Sequence, residues 1–373
     1  MITIYPVTTR RHRRQFVDLP WRLYKDDPNW VPPLKMDMHN TLNPKHNALL
    51  RLGPNSFFLA EREGRIVGRI GCGVDRLLNK AKGMEMGYIT LLECEQDYAI
   101  AKLLFDVATG FLRRHGAELA TGPQSPSNGD DYRALLIDGF DSPPVFLNSY
   151  NPPWYRDYLE KYGFTKHFDR YAYWVDLTEP IPERLQRGVA VAEKRFRFTV
   201  RPINMRDIPG EAAKIKVIAD KATPEEWPDM ISPSMEEIMA EFAKLKPVVV
   251  PELALIAETE NGEPVGMGVS VPDYNQVIKK INGKLFPFGW LRFLLGKKHI
   301  DTIRVFAIMI VPDYHRRGVS AALYLKTLEA AKAMGYTGAD CSSIHEFNVA
   351  MNRDAQGAGA VLWKTFRVFQ LPL

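Results

Sequence analysis

Apolar and polar positions fall into two matching series along the chain. Each series opens on a short strand pattern, Thr3-Ile4-Tyr5-Pro6-Val7 in the first and Thr199-Val200-Arg201-Pro202-Ile203 in the second. A hairpin pattern follows in both, with polar turn residues between two apolar runs: Leu59-Ala60-Glu61-Arg62-Glu63-Gly64-Arg65-Ile66-Val67-Gly68, then Ile256-Ala257-Glu258-Thr259-Glu260-Asn261-Gly262-Glu263-Pro264-Val265-Gly266. Near the ends, Tyr162-Gly163-Phe164 precedes an aromatic strand at residues 171–175, as Ala358-Gly359-Ala360 precedes one at 363–369. Three anchors in one order at nearly one spacing indicate an internal duplication. Each half predicts strand, helix, hairpin, strand, helix, strand, helix and final strand. Between them Thr178-Glu179-Pro180-Ile181-Pro182-Glu183 suits neither a helix nor a central strand and reads as a linker, with a short connecting helix at 183–195. The expected domains are 1–178 and 179–373, of α/β (α+β) class.

Composition agrees with two soluble domains: 373 residues, 46% hydrophobic and 25% charged. No run reaches the eighteen or so apolar residues that span a bilayer, and the opening MITIYPVTTRRHRR lacks the apolar core of a signal peptide, so a cytoplasmic protein is expected. Cys72, Cys94 and Cys341 stand far apart in no CxxC spacing, which suggests packed thiols and no zinc site. A net charge of +5 favours anionic ligands without demanding nucleic acid. The densest basic run, Arg10, Arg11, His12, Arg13 and Arg14, follows the N-cap candidates Thr8 and Thr9 and leads into Phe16, Val17 and Leu19. It reads as a solvated helix face, and neither nucleic acid nor metal is an expected partner.

The halves differ between the fourth strand and the next helix. The first has Leu91-Leu92-Glu93-Cys94-Glu95-Gln96-Asp97, a stretch with three acids and no glycine, expected to be a loop that repels phosphate. The second has Val311-Pro312-Asp313-Tyr314-His315-Arg316-Arg317-Gly318-Val319-Ser320, after Ile310 and before an alanine-rich helix expected at 320–334. A basic loop ending on a helix start aims N–H groups and positive charge at one point, which suits a phosphorylated ligand.

The window His315-Arg316-Arg317-Gly318-Val319-Ser320 resembles the pyrophosphate loop, Q/R-x-x-G-x-G/A, of the GCN5-related N-acetyltransferase (GNAT) superfamily, with His for Gln/Arg and Ser for Gly/Ala. The order of elements around it also fits: strand, loop, helix, strand at 338–345, and Asn348 opening the next helix. The whole chain is similar to a narrower tandem-domain group, the bacterial ceramide synthase-like proteins. Asp26-Asp27-Pro28-Asn29-Trp30-Val31-Pro32-Pro33-Leu34, Leu42-Asn43-Pro44-Lys45-His46, Asp138-Gly139-Phe140-Asp141-Ser142-Pro143-Pro144, Tyr150-Asn151-Pro152-Pro153 and Lys364-Thr365-Phe366-Arg367-Val368-Phe369 carry that likeness. The resemblance implies two GNAT-like domains, each a mixed, mostly antiparallel sheet flanked by helices. The first would have a degenerate coenzyme A loop and complete an acceptor cleft. The second would bind acetyl-CoA or a longer acyl-CoA through Ile310, Val311, the 315–320 loop and Asn348. The implied reaction is acyl transfer to an amine, among which a long-chain sphingoid base is one candidate. Acetylation of a small polar amine and acyl-CoA binding without catalysis are the alternatives.

Gly318 lets the backbone approach a phosphate closely, Arg316 and Arg317 keep their charge at any working pH, and Ser320 is able to cap the helix. The superfamily's usual strand carboxylate and helix tyrosine are missing: the strand at 302–309 has no acid, and Ala355 stands at the tyrosine's place. His345 and Glu346 remain, with Glu346 as the favoured proton acceptor and His345 as a relay; helix capping or an ion pair is the competing role for the first and an ordinary surface position for the second. Asn348 is a helix cap, a contact to the pantetheine arm, or both. Pro126-Ser127-Asn128-Gly129-Asp130-Asp131-Tyr132-Arg133 is a polar loop without EF-hand spacing. Residues 284–298, KLFPFGWLRFLLGKK, suit an interfacial segment and peripheral membrane contact, an acyl channel, or a structural flap.

Overall fold

The computed structural model describes residues 1–124, 134–246, 248–357 and 359–373. The first series of elements is β1 (Ile2–Pro6), α1 (Arg10–Leu23), α2 (Lys35–Thr41), β2 (Asn55–Arg62), β3 (Arg65–Gly73), α3 (Arg76–Lys82), β4 (Met86–Cys94), α4 (Tyr98–Arg114), β5 (Leu119–Gly122), β6 (Leu135–Asp138), α5 (Trp154–Tyr162) and β7 (Thr165–Asp176). The connecting helix α6 (Glu183–Phe196) leads to β8 (Phe198–Pro202), α7 (Ile208–Ala222), α8 (Met235–Leu245), β9 (Ala254–Thr259), β10 (Pro264–Pro272), α9 (Asn275–Ile281) and α10 (Gly289–Gly296). Then come β11 (Thr302–Ile310), α11 (Val319–Ala333), β12 (Gly338–His345), α12 (Val349–Gly357) and β13 (Val361–Pro372). The duplicated order read from the sequence is present, and α/β describes the fold.

Two compact units form. The first takes Met1–Tyr171, Tyr274–Lys298 and Lys364–Leu373; the second takes Ala172–Asp273 and His299–Trp363. They differ from consecutive halves divided at residue 178 for two reasons. The end of β13 pairs antiparallel with β5, from Phe369↔Gly122 to Pro372↔Leu119, so backbone hydrogen bonding places it in the first unit. The α9–α10 insertion also packs there, with Trp21 Nε1 donating to Asn282 Oδ1 (3.0 Å) and Asn275 Nδ2 donating to the Pro144 carbonyl (2.8 Å).

In the first unit the strands run β1-β2-β3-β4-β5-β13, with β6 also on β13. β4 and β5 pair in parallel, from Met86↔Leu119 to Tyr88↔Thr121. Ile100, Ala101, Leu104, Phe105, Ala108 and Leu112 recur at helical spacing on α4 and are buried in the core with Val67, Ile70 and Ile89 of the sheet. Gly68 permits that approach, since a Cβ there would lie 2.8 Å from Leu104 Cδ1. In the second unit the order is β12-β11-β10-β9-β8, with α11 laying Val319, Ala322 and Leu323 against Val265 and Met267 of β10.

Local expectations meet the structure unevenly. Thr9 caps α1, accepting from the His12 N–H (3.1 Å), and β12 covers 338–345 as expected. The stretch from Leu91 is not a loop: β4 continues to Cys94. Leu91 sits at φ 52° and the β3–β4 register shifts between Arg69 and Gly71, so a bulge absorbs the irregular pattern and the strand resumes. All three cysteines are buried and free. Among the described residues no helix is long and apolar enough to cross a membrane, and no cluster of His, Cys, Asp and Glu could hold a metal.

Candidate functional site

The candidate site of the second unit lies where two parallel strands part. β11 and β12 pair only from Thr302↔Gly338 to Val305↔Cys341, while β11 runs on to Ile310 against β10 and β12 runs on to His345. Beyond Val305 the β12-facing edge of β11 therefore lacks a ladder partner among the described residues. Buried polar groups fix the last paired residues. Arg304 Nε donates to Ser342 Oγ (3.2 Å), Ser342 Oγ donates to Asp340, and Trp363 Nε1 donates to Asp340 Oδ2 (2.9 Å).

The 315–320 loop follows β11. Its backbone is tied down first: the Val311 N–H donates to Val265 O (3.0 Å), and the Tyr314 N–H to Val311 O (2.9 Å). His315 is exposed at the backbone turn, yet its ring bends back. A carbonyl only accepts, so Nε2 carries the proton it donates to Ile310 O (3.1 Å). The imidazole thus fastens the loop to the strand end. Arg317 is stacked, its guanidinium carbon 5.0 Å from the Tyr314 ring centroid and 5.7 Å from that of Phe196 on α6. Arg316, at φ 60°, is exposed.

Gly318 is the N-cap of α11, at φ 82°, and no side chain caps the helix. A Cβ at this position would lie 2.6 Å from Ala192 Cβ, so glycine is required twice, for its left-handed backbone and for its closeness to α6. The expectation that Ser320 caps the helix does not hold: it lies inside α11, and its hydroxyl donates to Asp354 Oδ2 of α12 (2.7 Å). The first N–H groups of α11, at Val319, Ser320 and Ala321, are those a helix leaves without intrahelical partners. Together with the helix dipole and two neighbouring arginines they concentrate positive charge and N–H donors at the start of α11. The Asp354 carboxylate is an opposing charge at this terminus, and the Ser320 hydroxyl partly occupies it.

At the far end of β12 lie the other candidates. His345 is buried, stacked on Trp227 (centroids 4.9 Å, 21°) and tilted on Phe347 (4.8 Å, 37°). Its Nδ1 accepts from the Phe347 N–H (3.2 Å), so the neutral ring carries its proton on Nε2 and is a hydrogen-bond donor there. The strand ends at His345, which frees Glu346 from strict alternation; it is half-buried in the turn that follows. Asn348 caps α12, its Oδ1 accepting from the Met351 N–H (3.1 Å). Asn352 Nδ2 staples that helix to the strand end through His345 O (3.1 Å). Ala355 is buried. Sequence reasoning missed Trp227: it sits in the Pro-rich connection between α7 and α8, and no local pattern announces a partner so far along the chain. The 126–133 loop lies outside the described residues.

The first unit has the same divergence and closes it. Glu93 on β4 is buried beneath Tyr24 and Tyr155, whose hydroxyls donate to its Oε2 at 2.7 and 3.0 Å, with Arg69 Nη2 3.8 Å from Oε1. Burial pushes its carboxyl up to about 7, against the lowering effect of Arg69 and the two hydroxyls. The Tyr155 hydroxyl also accepts from the Cys94 N–H (2.7 Å). Asp97 caps α4 through the Ala99 N–H (2.9 Å) and pairs with Arg62 Nη1 (2.9 Å), while Glu95 pairs with Arg22, Arg62 and Arg65.

Comparison with known proteins bears on this architecture. No protein-family model matches the chain. It is 32% identical over 383 aligned positions to a protein of Caulobacter vibrioides (strain NA1000 / CB15N) named "Bacterial ceramide synthase", covering 100% of this chain and 98% of that one. It is 28% identical to Protein YghO of Escherichia coli (strain K12), covering 96% and 92% respectively. A solved tandem GNAT protein from the clavulanic acid biosynthesis pathway superposes with a TM-score of 0.58 at 11% identity, covering 100% of this chain and 98% of that one, a likeness of fold. On these grounds the chain is an acyltransferase that belongs to the bacterial ceramide synthase-like group, with a fold like that of tandem GNAT proteins.

Proposed function

We propose that the chain transfers an acyl group from an acyl-CoA thioester to the amino group of a long-chain, sphingoid-type amine, holding the donor in its second unit. The observation that carries the donor site is the N-terminus of α11: a glycine cap, no capping side chain, and Arg316 and Arg317 beside it. Backbone N–H groups and arginine suit phosphate oxygens, and the unladdered edge of β11 offers amide groups to the extended arm that follows the diphosphate. A long-chain acceptor is supported by the name of the Caulobacter relative. Cytoplasmic residence is part of the same proposal.

The reaction forms an amide N–C bond and breaks the thioester C–S bond. The attacking amine must be neutral and loses a second proton as the thiol is restored. Glu346, at the turn after β12, is the proposed acceptor of the ammonium proton, and His345 Nε2–H the proposed donor to the carbonyl oxygen as it gains charge. The aromatic packing by Trp227 and Phe347 holds that ring in place, and the Phe347 N–H fixes its tautomer. Asn348 serves as a helix cap that orients the turn.

The deciding experiment is a panel of acyl-CoA chain lengths against long-chain and small polar amines, read by thiol release. Turnover with a long-chain amine, rising with donor length, supports the proposal; each buried methylene is worth ~0.8 kcal/mol. Turnover only with small polar amines would replace the acceptor, and binding without turnover would replace catalysis. Glu346→Gln should lower kcat about 100-fold with little change in KM. A fall in melting temperature with kcat intact would instead make Glu346 structural.

A further inference from the structure

The α9–α10 insertion of the first unit presents side chains that the protein itself does not cover. Helix α10 is Gly-Trp-Leu-Arg-Phe-Leu-Leu-Gly and has no buried residue, although five of its eight positions are large and apolar. Phe286 is 75% exposed, Phe288 70%, Leu295 61% and Trp290 48%, with Leu291 and Leu294 exposed beside them. This is not a frayed end. The inner side is packed: Phe293 stacks on Tyr274 (5.5 Å, 23°), a Cβ on Gly296 would lie 2.8 Å from Val277 Cγ1, and one on Gly289 would overlap the Lys284 carbonyl. The geometry is a rigid turn-helix whose outward face is apolar.

Charge identifies what fits over it. From Asn275 to Ile300 the sequence has no Asp or Glu, while Lys279, Lys280, Lys284, Arg292, Lys297 and Lys298 are all exposed. No ion pair engages Lys280, Lys284, Arg292, Lys297 or Lys298 among the described residues. Aromatic and leucine side chains flanked by unpaired cations, on a helix too short to span a bilayer, suit the interface plane of a membrane rich in anionic headgroups. A second copy of the chain docking face to face would bring like charges together, which disfavours it as the occupant. We infer that residues 284–298 form a peripheral docking surface for an anionic phospholipid bilayer. The inference concerns the first unit alone and stands independently of the acyl acceptor.

The test is sedimentation of the full chain with vesicles of phosphatidylcholine alone and of phosphatidylcholine mixed with phosphatidylglycerol, at low and high salt. The inference expects binding to the anionic vesicles, weak binding to the neutral ones, and release by salt. Combining Phe286→Ser, Phe288→Ser and Trp290→Ser should reduce binding about tenfold or more. Lys297→Gln with Lys298→Gln should reduce it about fivefold per lysine on anionic vesicles only. Unchanged thermal melting and CoA binding in both variants would show an intact fold and donor site. Wild-type protein that binds neither vesicle, or the triple variant binding as well as wild type, overturns the inference. So does a lipid-free dimer, seen by light scattering, that the triple variant abolishes.

Discussion

The N-termini of α4 and α11 occupy equivalent places in the two units, each following a strand that has just parted from its parallel neighbour. At α4, Asp97 fills the cap, Glu95 draws in three arginines, and the Tyr155 hydroxyl satisfies the Cys94 N–H. At α11 a glycine stands at the cap, no side chain caps the first-turn N–H groups, and the neighbouring arginines are exposed. One terminus has internalised its counter-charge; the other, the proposed donor site, keeps its first N–H groups uncapped. The lesson is that the shared fold supplies the helix dipole twice, and two or three side chains decide whether it acts on the protein itself or on a ligand.

The most severe test of that contrast makes α11 resemble α4. Gly318→Asp adds a Cβ against Ala192 and a carboxylate at the cap, and should reduce CoA affinity at least 100-fold by calorimetry, with circular dichroism checking the fold. Next, Arg316→Ala should weaken CoA binding about tenfold without altering the melting temperature, since Arg316 is exposed. Arg317→Ala should do the same and also lower the melting temperature, because it removes stacking on Tyr314 and Phe196. Equal melting behaviour in the two variants would show that the stacking contributes nothing.

A smaller effect concerns the closed site. Burial pushes the native Glu93 carboxyl up to about 7 from the usual 4.5, so between those values the folded chain keeps a proton that the unfolded chain has released. Stability should therefore fall as pH rises through that window, by on the order of 3 kcal/mol. Glu93→Gln should flatten that slope in denaturant titrations and leave CoA affinity unchanged; an unaltered slope would assign the pH dependence elsewhere. Smallest, Asp97→Ala should cost about 1 kcal/mol of stability through the lost cap and confer no CoA binding, because Glu95 and Tyr155 still close the terminus.

Local features were legible in the sequence for local reasons. Gly64 and Gly262, at φ 77° and 79°, mark the hairpin turns that revealed the duplication. The Pro-rich linker bounded α6, and the end of the basic loop at Ser320 placed the start of α11 within one residue of its observed start at Val319. Features set by distant partners were not legible. Periodicity predicts that residues 363–369 form a strand but not that β13 pairs with β5. Nothing in the run around His345 predicts a stack on Trp227, and an apolar pattern that continues through a bulge at Leu91 looks like a strand that has ended. His315 is a local case: its ring bonds to Ile310 O five residues back, a contact its residue type alone does not announce.

The most direct measurement is a crystal structure of the full chain with CoA bound. The account predicts diphosphate oxygens within hydrogen-bonding distance of the Val319, Ser320 and Ala321 N–H groups, with Arg316 alongside and no density at the N-terminus of α4. A diphosphate seated at Asp97 and α4, or bound away from both helices, would contradict it.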